Sequence, residues 1–521
     1  MFLGFDSSTQ SLSALIIDPA TGQIVHQKSV NFGAHLPEFK SPSGFIPGGA
    51  DGEVHADPRM WLQALDMVLT QLAAETDLAA VKAIAGSGQQ HGSVYLDATF
   101  NDRLAKLDAA PSLVDQLAPA LTRATSPIWM DTSTGEECAE IAAAAGGNDA
   151  VCKISGSIAI ERFTGPQIRR FYKTQPEAYA RTARIHLVSS FLASVLAGQE
   201  AAIDTGDGAG MNLMDLASQD WSETLLDATA PGLRDKLPPV AAATTLTGLI
   251  SSYFVEKYGF SPACTVARFT GDNPASLVGM GATSPGNVVI SLGTSDTFFS
   301  AMEKPATDPA GFGHVFGNPA GGFMSLICFR NGSLSREALR DQLGLAWSDF
   351  DQDGLARTKP GNCANQMLPF FGPEITPRAD FTGPVRKGDV EFEAGENAPA
   401  QVRALLEGQF LNMRLHSEWI GGKPNRIRLT GGASQNNGIA HLVADIFQAP
   451  VERLAIGNSA ALGAALIAAA SAGKDLEALQ EVFCKTDEGS RIEPNAANAD
   501  VYAEALESYR SLLDANLNAL V

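Results

Sequence analysis

The sequence predicts an α/β protein of two domains, and three observations support this prediction. Segments with the character of buried strands alternate with helical periodicity along the whole chain, which is typical of α/β architecture. The chain has 521 residues, which is too long for a single hydrophobic core. Similar strand–turn–strand segments at residues 1–18 and 286–302 indicate an internal duplication. We therefore expect one domain over 1–283 and a second over 284–521.

The first of these segments is an apolar strand, a turn and a second apolar strand. Its turn follows Asp6 and consists of small hydroxyl residues that include Ser8 and Thr9. Such a turn is either an ordinary hairpin cap or a place where backbone N–H groups meet an anion. The second segment repeats the pattern, with Gly293 and Thr294 at equivalent positions. Two such turns, one from each half, can converge on one ligand in the cleft between the halves.

Two helices can be placed from their start signals and periodicity. Asp57-Pro58 predicts a helix with Asp57 as the N-cap and Pro58 as the first helical residue. Apolar residues then recur at helical spacing over 61–72. Residues 426–430 predict a strand that runs into a glycine turn, and the apolar spacing over 439–447 predicts a helix after it.

The stretch FTGDNPASLVGMG, residues 269–281, is the most informative in the chain. It predicts that a strand over 266–269 ends in a tight turn and that a helix starts at or next to Pro274. Asp272 or Asn273 can be the N-cap of that helix. Ligands of open α/β sheets also bind at the carboxyl ends of strands, where Asp272 lies. There it can accept the proton of a hydroxyl group that attacks a phosphoryl group.

Composition and charge exclude several classes of protein. Hydrophobic residues make up 45% and charged residues 18%, which is typical of a globular enzyme or binding protein rather than of a disordered chain. The formal net charge of −21 argues against nucleic-acid binding, because that affinity comes largely from Lys and Arg that neutralise phosphates. An acidic protein can still bind one nucleotide through helix N-termini, glycine turns and a metal ion.

The cysteines and the N-terminal segment indicate the cellular compartment in which we expect the protein. The 6 cysteines are scattered without a CxxC pair, so neither a disulfide framework nor a zinc site is indicated. Asp6 interrupts the apolar start of the chain and no basic segment precedes it, so we expect no signal peptide. We therefore expect a cytoplasmic protein that binds small molecules and has neither a nucleic-acid partner nor a membrane anchor.

Ten segments, in order along the chain, together resemble the FGGY family of carbohydrate kinases. The resemblance covers nearly the whole sequence and is most specific for the family's D-xylulose kinases of the eukaryotic type. The segments are GFDSSTQS (4–11), GQQHGS (88–93), PIWMDTST (127–134), ERFTGPQI (161–168), DTGDGAGMNL (204–213), FTGDNPASL (269–277), SLGTSDT (291–297), FRNGSLSRE (329–337), TGGASQN (430–436) and NSAALGAAL (458–466).

The resemblance implies a fold, a reaction and roles for individual residues. The fold is the two-domain actin/hexokinase/Hsp70-like ATPase fold with a duplicated ribonuclease-H-like core. The reaction is ATP-dependent phosphorylation of D-xylulose to D-xylulose 5-phosphate, with Mg²⁺. The implied roles are catalytic base for Asp272; sugar binding for His91, Arg162, Asp272 and Asn273; metal binding for Asp6; and ATP binding for Ser8, Thr9, Gly293, Thr294, Ser295, Trp347, Gly432, Ala433 and Asn436.

Departures from the family pattern keep alternatives open. Gln167-Ile168 and Phe171 replace a more common Lys-containing pattern, and Gln89-Gln90-His91 replaces the Gln-Met-His of many bacterial members. Both changes lie on the sugar side, so L-xylulose, ribulose, glycerol or gluconate are alternative substrates. From other classes, the alternatives are an actin- or Hsp70-like nucleotide switch and a sugar sensor that has lost catalysis.

Overall fold

The structure is a computed structural model that describes residues 1–381, 383–454 and 457–517. Its architecture consists of two mixed β-sheets with helices packed on their faces. The strands of the first sheet are β1 (Phe2–Ser7), β2 (Ser11–Asp18), β3 (Gln23–Asn31), β4 (Ala83–Gly88), β5 (Leu246–Leu249), β6 (Thr265–Ala267) and β7 (Thr270–Gly271). Their spatial order is β5-β6-β4-β1-β2-β3, and β7 also pairs with β4.

The second sheet is built from the second half of the chain. Its strands are β8 (Asn287–Leu292), β9 (Asp296–Met302), β10 (His314–Gly317), β11 (Phe323–Phe329), β12 (Arg426–Thr430) and β13 (Val451–Arg453), in the spatial order β10-β11-β9-β8-β12-β13. The remaining strands of the described residues form five short two-stranded sheets. They pair His55–Ala56 with Ser126–Pro127, Ser93–Leu96 with Arg184–Leu187, Ile203–Asp204 with Val240–Ala241, Met214–Asp215 with Asp220–Trp221, and Gln366–Leu368 with Val385–Lys387.

The two sheets share one topology. In the first, β6, β4 and β1 run parallel, and β2 and β3 follow as antiparallel neighbours. In the second, β13, β12 and β8 run parallel, and β9 and β11 follow as antiparallel neighbours. The duplicated α/β core expected from the sequence is therefore confirmed, with one of the two similar hairpins at the centre of each sheet.

In the described residues, nine helices pack against the sheets or against one another. They are α1 (Pro58–Ala73), α2 (Val188–Ala197), α3 (Asp272–Gly279), α4 (Ser333–Leu343), α5 (Ala398–His416), α6 (Asn437–Phe447), α7 (Ser459–Ser471), α8 (Leu476–Phe483) and α9 (Ala499–Leu517). Further helices cover Phe32–His35, Phe100–Leu104, Leu113–Leu117, Gly135–Ala145, Asn148–Ser155, Thr164–Thr174, Pro176–Arg181, Thr205–Ala209, Glu223–Thr229, Ser252–Tyr258, Trp347–Asp349 and Val390–Glu393. Within the described ranges, no helix is long and apolar enough to cross a membrane.

Most of the individually predicted elements are confirmed. The Asp57 carboxylate accepts the Arg59 N–H at 2.9 Å and caps α1, whose apolar stripe from Trp61 to Leu72 is buried. The strand predicted over 266–269 is wrong in detail, because it breaks after Ala267. The Phe269 ring occupies the space beside Gly86 where a Cβ would lie, and the chain rejoins the sheet as β7.

Helix α7 crosses from the second half of the chain to the first sheet. Its residues share one apolar cluster with β1, β2 and β4, which includes Phe2, Leu15 and Ala83. Close approach depends on small residues: a Cβ on Gly4 or Gly279 would meet the α7 backbone, and one on Gly463 would meet the α3 backbone. Helix α7 therefore holds together β1 and α3, the elements that carry Asp6 and Asp272.

Candidate active site

The candidate active site lies at the carboxyl ends of three neighbouring strands of the first sheet. The register pairs Asp6 of β1 with Ser87 of β4, and Ser87 with Thr270 of β7. Gln89 and Asp272 each follow directly after one of these strands. The sheet therefore presents Asp6, the 89–91 segment and Asp272 along one edge, which is the usual ligand-binding edge of a parallel α/β sheet.

Asp272 is partly buried as the first residue of α3. Gly271, which offers no side chain, is the N-cap, so neither Asp272 nor Asn273 is used to cap the helix. The Asp272 carboxylate accepts the Asn273 N–H at 2.9 Å and a longer bond from the Gln90 N–H at 3.4 Å. The Asn273 side-chain amide donates to the Gln90 side-chain oxygen at 2.7 Å. These bonds fix the directions of the acid and of the neighbouring amide.

The carboxyl groups at this edge hold protons more tightly than free ones do. Desolvation raises the pKa of Asp6 to about 6, although the Ser87 hydroxyl donates to it at 2.7 Å. Desolvation, with the nearby Asp6 charge, raises the pKa of Asp272 to about 7. Behind them, burial raises the pKa of Asp204 to about 6 and that of Asp207 well above its ordinary value. Several acids thus share one low-dielectric region.

His91 is held in a specific orientation. Its φ of 71° lies in the left-handed region, and its Nδ1 is 2.7 Å from the Gly210 carbonyl oxygen. Because that oxygen can only accept, Nδ1 carries the proton and Nε2 is left as an acceptor. Its ring stacks on Phe163 with centroids 4.2 Å apart. Burial, with the Arg162 charge, lowers the pKa of His91 to about 3, so the imidazole is neutral.

Arg162 and the first turn complete the first-sheet side of the site. The Arg162 guanidinium lies over the Phe163 ring and donates to His314 at 3.0 Å. Thr9 of the turn accepts a hydrogen bond from the indole N–H of the half-exposed Trp129 at 2.8 Å. The Ser8 hydroxyl donates to the Ser11 carbonyl at 3.0 Å, which is the hairpin cap considered from the sequence. The cap leaves the turn's other groups open to a role in anion binding.

The carboxylate beside the second turn is paired with a basic side chain, whereas Asp6 beside the first turn is not. Asp296, directly after the Gly293-Thr294-Ser295 turn, forms a two-pronged ion pair with Arg336 of α4 at 2.9 Å for each contact. Arg336 is buried and also donates to Gln409 at 3.0 Å. Thr294 and Ser295 themselves are exposed. This pairing anchors the turn to α4 and leaves its hydroxyls accessible.

A cavity of about 590 Å³ adjoins the second turn. It brings together Gly293, Thr294, Trp347, Gly432, Ala433 and Asn436, which are six of the residues expected at the ATP site. Ser295, Ser8 and Thr9 do not line it. Asn436 caps α6 by accepting the Ile439 N–H at 2.8 Å. The Arg340 guanidinium lies over the Trp347 ring, 4.5 Å from its centroid, and the indole is 48% exposed. An aromatic wall opposite glycine-rich backbone suits a flat heterocycle.

Sequence reasoning did not single out several residues that the structure places here. Gln90 orients Asn273, Trp129 bonds to Thr9, and His314 bonds to Arg162. Gln90 could have been predicted as a site residue, since it directly precedes His91 in the GQQHGS motif. His314 had a weaker signal, a histidine directly after a glycine in GFGHVFG. The partner of each residue is remote in sequence, so periodicity gives no sign of it.

No group of three or more His, Cys, Asp or Glu side chains in the described part of the chain is arranged to hold a metal ion. Mg²⁺ in phosphoryl-transfer sites usually keeps several waters and is bound by one or two carboxylates together with substrate phosphates. Asp6, a buried carboxylate beside the candidate base, is the kind of ligand that such an ion uses. The residues present therefore fit a Mg²⁺ ion that arrives with the nucleotide.

The fold and site define a two-domain kinase of the actin/hexokinase class. Residues 111–279 match the N-terminal domain of the FGGY family of carbohydrate kinases, and residues 288–472 match its C-terminal domain. The chain belongs to this family of carbohydrate kinases, for which ATP is the co-substrate.

Individual relatives extend the match to nearly the full length. The chain is 43% identical to Xylulose kinase 2 of Arabidopsis thaliana, over 90% of this chain and 87% of the relative. It is 41% identical to the xylulose kinase of Rattus norvegicus, over 98% and 96%. A solved structure described as a xyloylose kinase from Brucella ovis superposes with a TM-score of 0.81 at 25% identity, covering 100% of both chains. A gluconate kinase structure from Lactobacillus acidophilus superposes almost as well, with a TM-score of 0.80 at 20% identity over 98% and 97%.

Proposed function

We propose that this chain transfers the γ-phosphoryl group of ATP to the terminal hydroxyl of D-xylulose and so forms D-xylulose 5-phosphate. The geometry of Asp272 supports phosphoryl transfer: the carboxylate lies at the carboxyl end of a strand, is oriented by the backbone N–H groups of Gln90 and Asn273, and lies next to the fixed Asn273 amide. The fold alone does not identify the sugar substrate, because a gluconate kinase has the same fold. The choice of D-xylulose rests on the xylulose kinases at 41–43% identity.

The proposed mechanism assigns one task to each residue. The neutral His91 accepts a hydrogen bond from a sugar hydroxyl at Nε2. Arg162 donates to another sugar oxygen. The side-chain NH2 of Asn273 already donates to Gln90 and Asp272, so its side-chain oxygen accepts from a further sugar hydroxyl. Asp272 accepts the proton of the terminal hydroxyl as that oxygen attacks the γ-phosphorus and the bond to the bridging oxygen of ADP breaks. Most of the rate enhancement in such reactions comes from positioning and charge neutralisation.

The nucleotide is proposed to lie in the cavity beside the second turn, with its base between Trp347 and the Gly432-Ala433 backbone. Thr294 and Ser295 of the second turn, and Ser8 and Thr9 of the first, would then contact the phosphates. Asp6 would hold Mg²⁺ directly or through water, and the ion would neutralise phosphate charge.

We also propose that the division into domains falls between residues 283 and 284, and that the protein is cytoplasmic. The free thiols support this location: all six cysteines lie within the described residues and none forms a disulfide.

An ADP-release assay across D-xylulose, L-xylulose, D-ribulose, glycerol and gluconate tests this function. We expect the highest kcat/KM with D-xylulose and little ATP turnover without sugar. In the Asp272→Asn variant, kcat should fall at least about 10²-fold, the lower range for loss of a general base, with the ATP KM nearly unchanged. Rapid ATP hydrolysis that no sugar stimulates would instead identify a nucleotide switch of the actin or Hsp70 type.

A further inference from the structure

The second sheet supplies a side chain to the sugar side of the site. His314 is the first residue of β10, the edge strand of that sheet, and it is 2% exposed. Its Nε2 lies 3.0 Å from Arg162 Nη2, and its Nδ1 lies 3.1 Å from the Ser157 hydroxyl oxygen. Arg162 and Ser157 both belong to the first half of the chain, so the imidazole bridges the two halves.

Only one protonation state of His314 satisfies both contacts. A guanidinium has donors and no acceptor, so Nε2 must accept from Arg162. The proton then resides on Nδ1 and is donated to the Ser157 hydroxyl oxygen. Burial, with the Arg162 charge, lowers the pKa of His314 well below its usual value, in agreement with a neutral ring. The Ser157 carbonyl in turn accepts the Asn212 side-chain amide at 3.1 Å, which ties the segment to the 204–212 turn.

Strand β10 is fixed to the first half of the chain at this point. The Val315 N–H donates to the Gly156 carbonyl at 3.0 Å, and Gly317 lies against Thr205 so closely that a Cβ would clash with it. The strand that carries His314 is therefore held against the first half of the chain at the next residue and again three residues after His314. A rigidly held acceptor restricts where the long, flexible arginine side chain can place its guanidinium.

We propose that His314 is a positioning residue for sugar binding, which accepts a hydrogen bond from Arg162 and directs the remaining guanidinium donors toward the sugar. This inference rests on the proposed function, in which Arg162 binds a sugar hydroxyl. His314 does not itself need to touch the sugar or ATP. Its loss should therefore raise the KM for D-xylulose more than it lowers kcat, and leave the KM for ATP unchanged.

The test compares His314→Phe, which removes the acceptor but keeps a ring, with His314→Gln, whose side-chain oxygen can still accept. We expect His314→Phe to raise the D-xylulose KM about 10- to 100-fold, which corresponds to loss of a hydrogen bond to a charged group. His314→Gln should recover most of that loss. The milder Ser157→Ala variant removes the hydrogen-bond partner of His314 Nδ1 and should raise the same KM by a smaller factor. It provides a test of the proposal even if His314→Phe does not fold.

A matched control and a double-mutant cycle separate positioning from general damage. His186 is also fully buried, its Nδ1 lies 3.0 Å from the hydroxyl oxygen of Ser190, and it has no part in the proposed mechanism. His186→Phe should leave the ratio of the two KM values unchanged. In an Arg162→Ala background, adding His314→Phe should cost almost nothing further, because the two residues act through one contact.

The outcomes distinguish this inference from the proposed function. If the unmodified protein phosphorylates none of the sugars, the proposed function fails. If it phosphorylates D-xylulose but His314→Phe changes both KM values equally, or its effect adds fully to that of Arg162→Ala, the positioning role of His314 is overturned while the kinase assignment stands.

Discussion

Asp272 shows how its surroundings prepare a single residue for chemistry. A carboxylate in water is too weak a base to accept a hydroxyl proton efficiently near neutral pH. Desolvation, together with the Asp6 charge, raises its pKa to about 7. A general base works best when its pKa lies near the working pH, because it is then both basic and substantially deprotonated. Burial of the carboxylate, with charge repulsion from Asp6 as a second cause, thus becomes an advantage for catalysis.

The raised pKa of Asp272 predicts a pH dependence. Below about pH 7 the carboxyl is mainly protonated and cannot accept a proton, so kcat/KM for D-xylulose should rise with pH and level off above about pH 7. The measurement is kcat/KM between pH 5.5 and 9 at saturating ATP. The residual activity of Asp272→Asn, measured as a control, should lack this rise. A flat profile in the unmodified protein would contradict the role of Asp272.

At the residue scale, the sequence predicts a position where a side chain has a local signal. The structure confirms that Asp272 lies between a strand and a helix start, while its role as a base stays a prediction. The roles of other residues depend on pairs that are far apart: Asn273 and Gln90 are separated by 183 positions, and Arg162 and His314 by 152. Only the folded chain brings such partners together, so the spacing of residues cannot indicate them.

At the scale of elements, α7 is the part that sequence patterns describe least well. Its apolar and small residues surround the helix on all sides, since it is buried between α3 and the first sheet, so no single face marks its partner. Helices with one apolar face, such as α1 and α6, were located correctly. The break between β6 and β7 was missed because it depends on Phe269 packing across Gly86, a contact between separate strands.

The close contact of α7 with α3 predicts that a methyl group cannot be added there. Gly463→Ala places a Cβ against the Ala275 carbonyl and should destabilise the protein by about 1–3 kcal/mol or more, the usual cost of overpacking. The measurement is the free energy of unfolding in urea. Gly135→Ala is the matched control, because Gly135 is also helical and has no neighbour within 4 Å. Equal stability of the two variants would show that α7 and α3 are less tightly packed.

At the scale of the whole molecule, the two halves perform different tasks on a shared topology. The first sheet presents unneutralised acids at its ligand-binding edge. The acid of the second hairpin, Asp296, lies after the turn rather than before it and is paired with Arg336. The large cavity with an aromatic wall belongs to the second half. The duplication was visible in the sequence from the two hairpins alone. The asymmetry of charge was not, because Asp296 and Arg336 are 40 positions apart.

This division predicts that substitutions in each half affect a different substrate. Trp347→Ala should raise the ATP KM about tenfold, which corresponds to about 1.4 kcal/mol, and leave the D-xylulose KM unchanged. His91→Ala should raise the D-xylulose KM by roughly 5- to 150-fold, the range for a lost buried hydrogen-bond partner, without affecting ATP. Steady-state kinetics with each substrate varied in turn provide the measurement. Equal effects of either variant on both KM values would contradict the division.

The position of α7 has a consequence for how the protein is made. The face of the first sheet that includes Phe2, Leu15 and Ala83 is covered only when residues 459–471 have left the ribosome, long after the strands of that sheet. Until then the nascent chain carries an open apolar surface that attracts chaperones or other nascent chains. For the same reason, a fragment ending at residue 283 would expose this surface permanently, and we expect it to aggregate rather than fold independently.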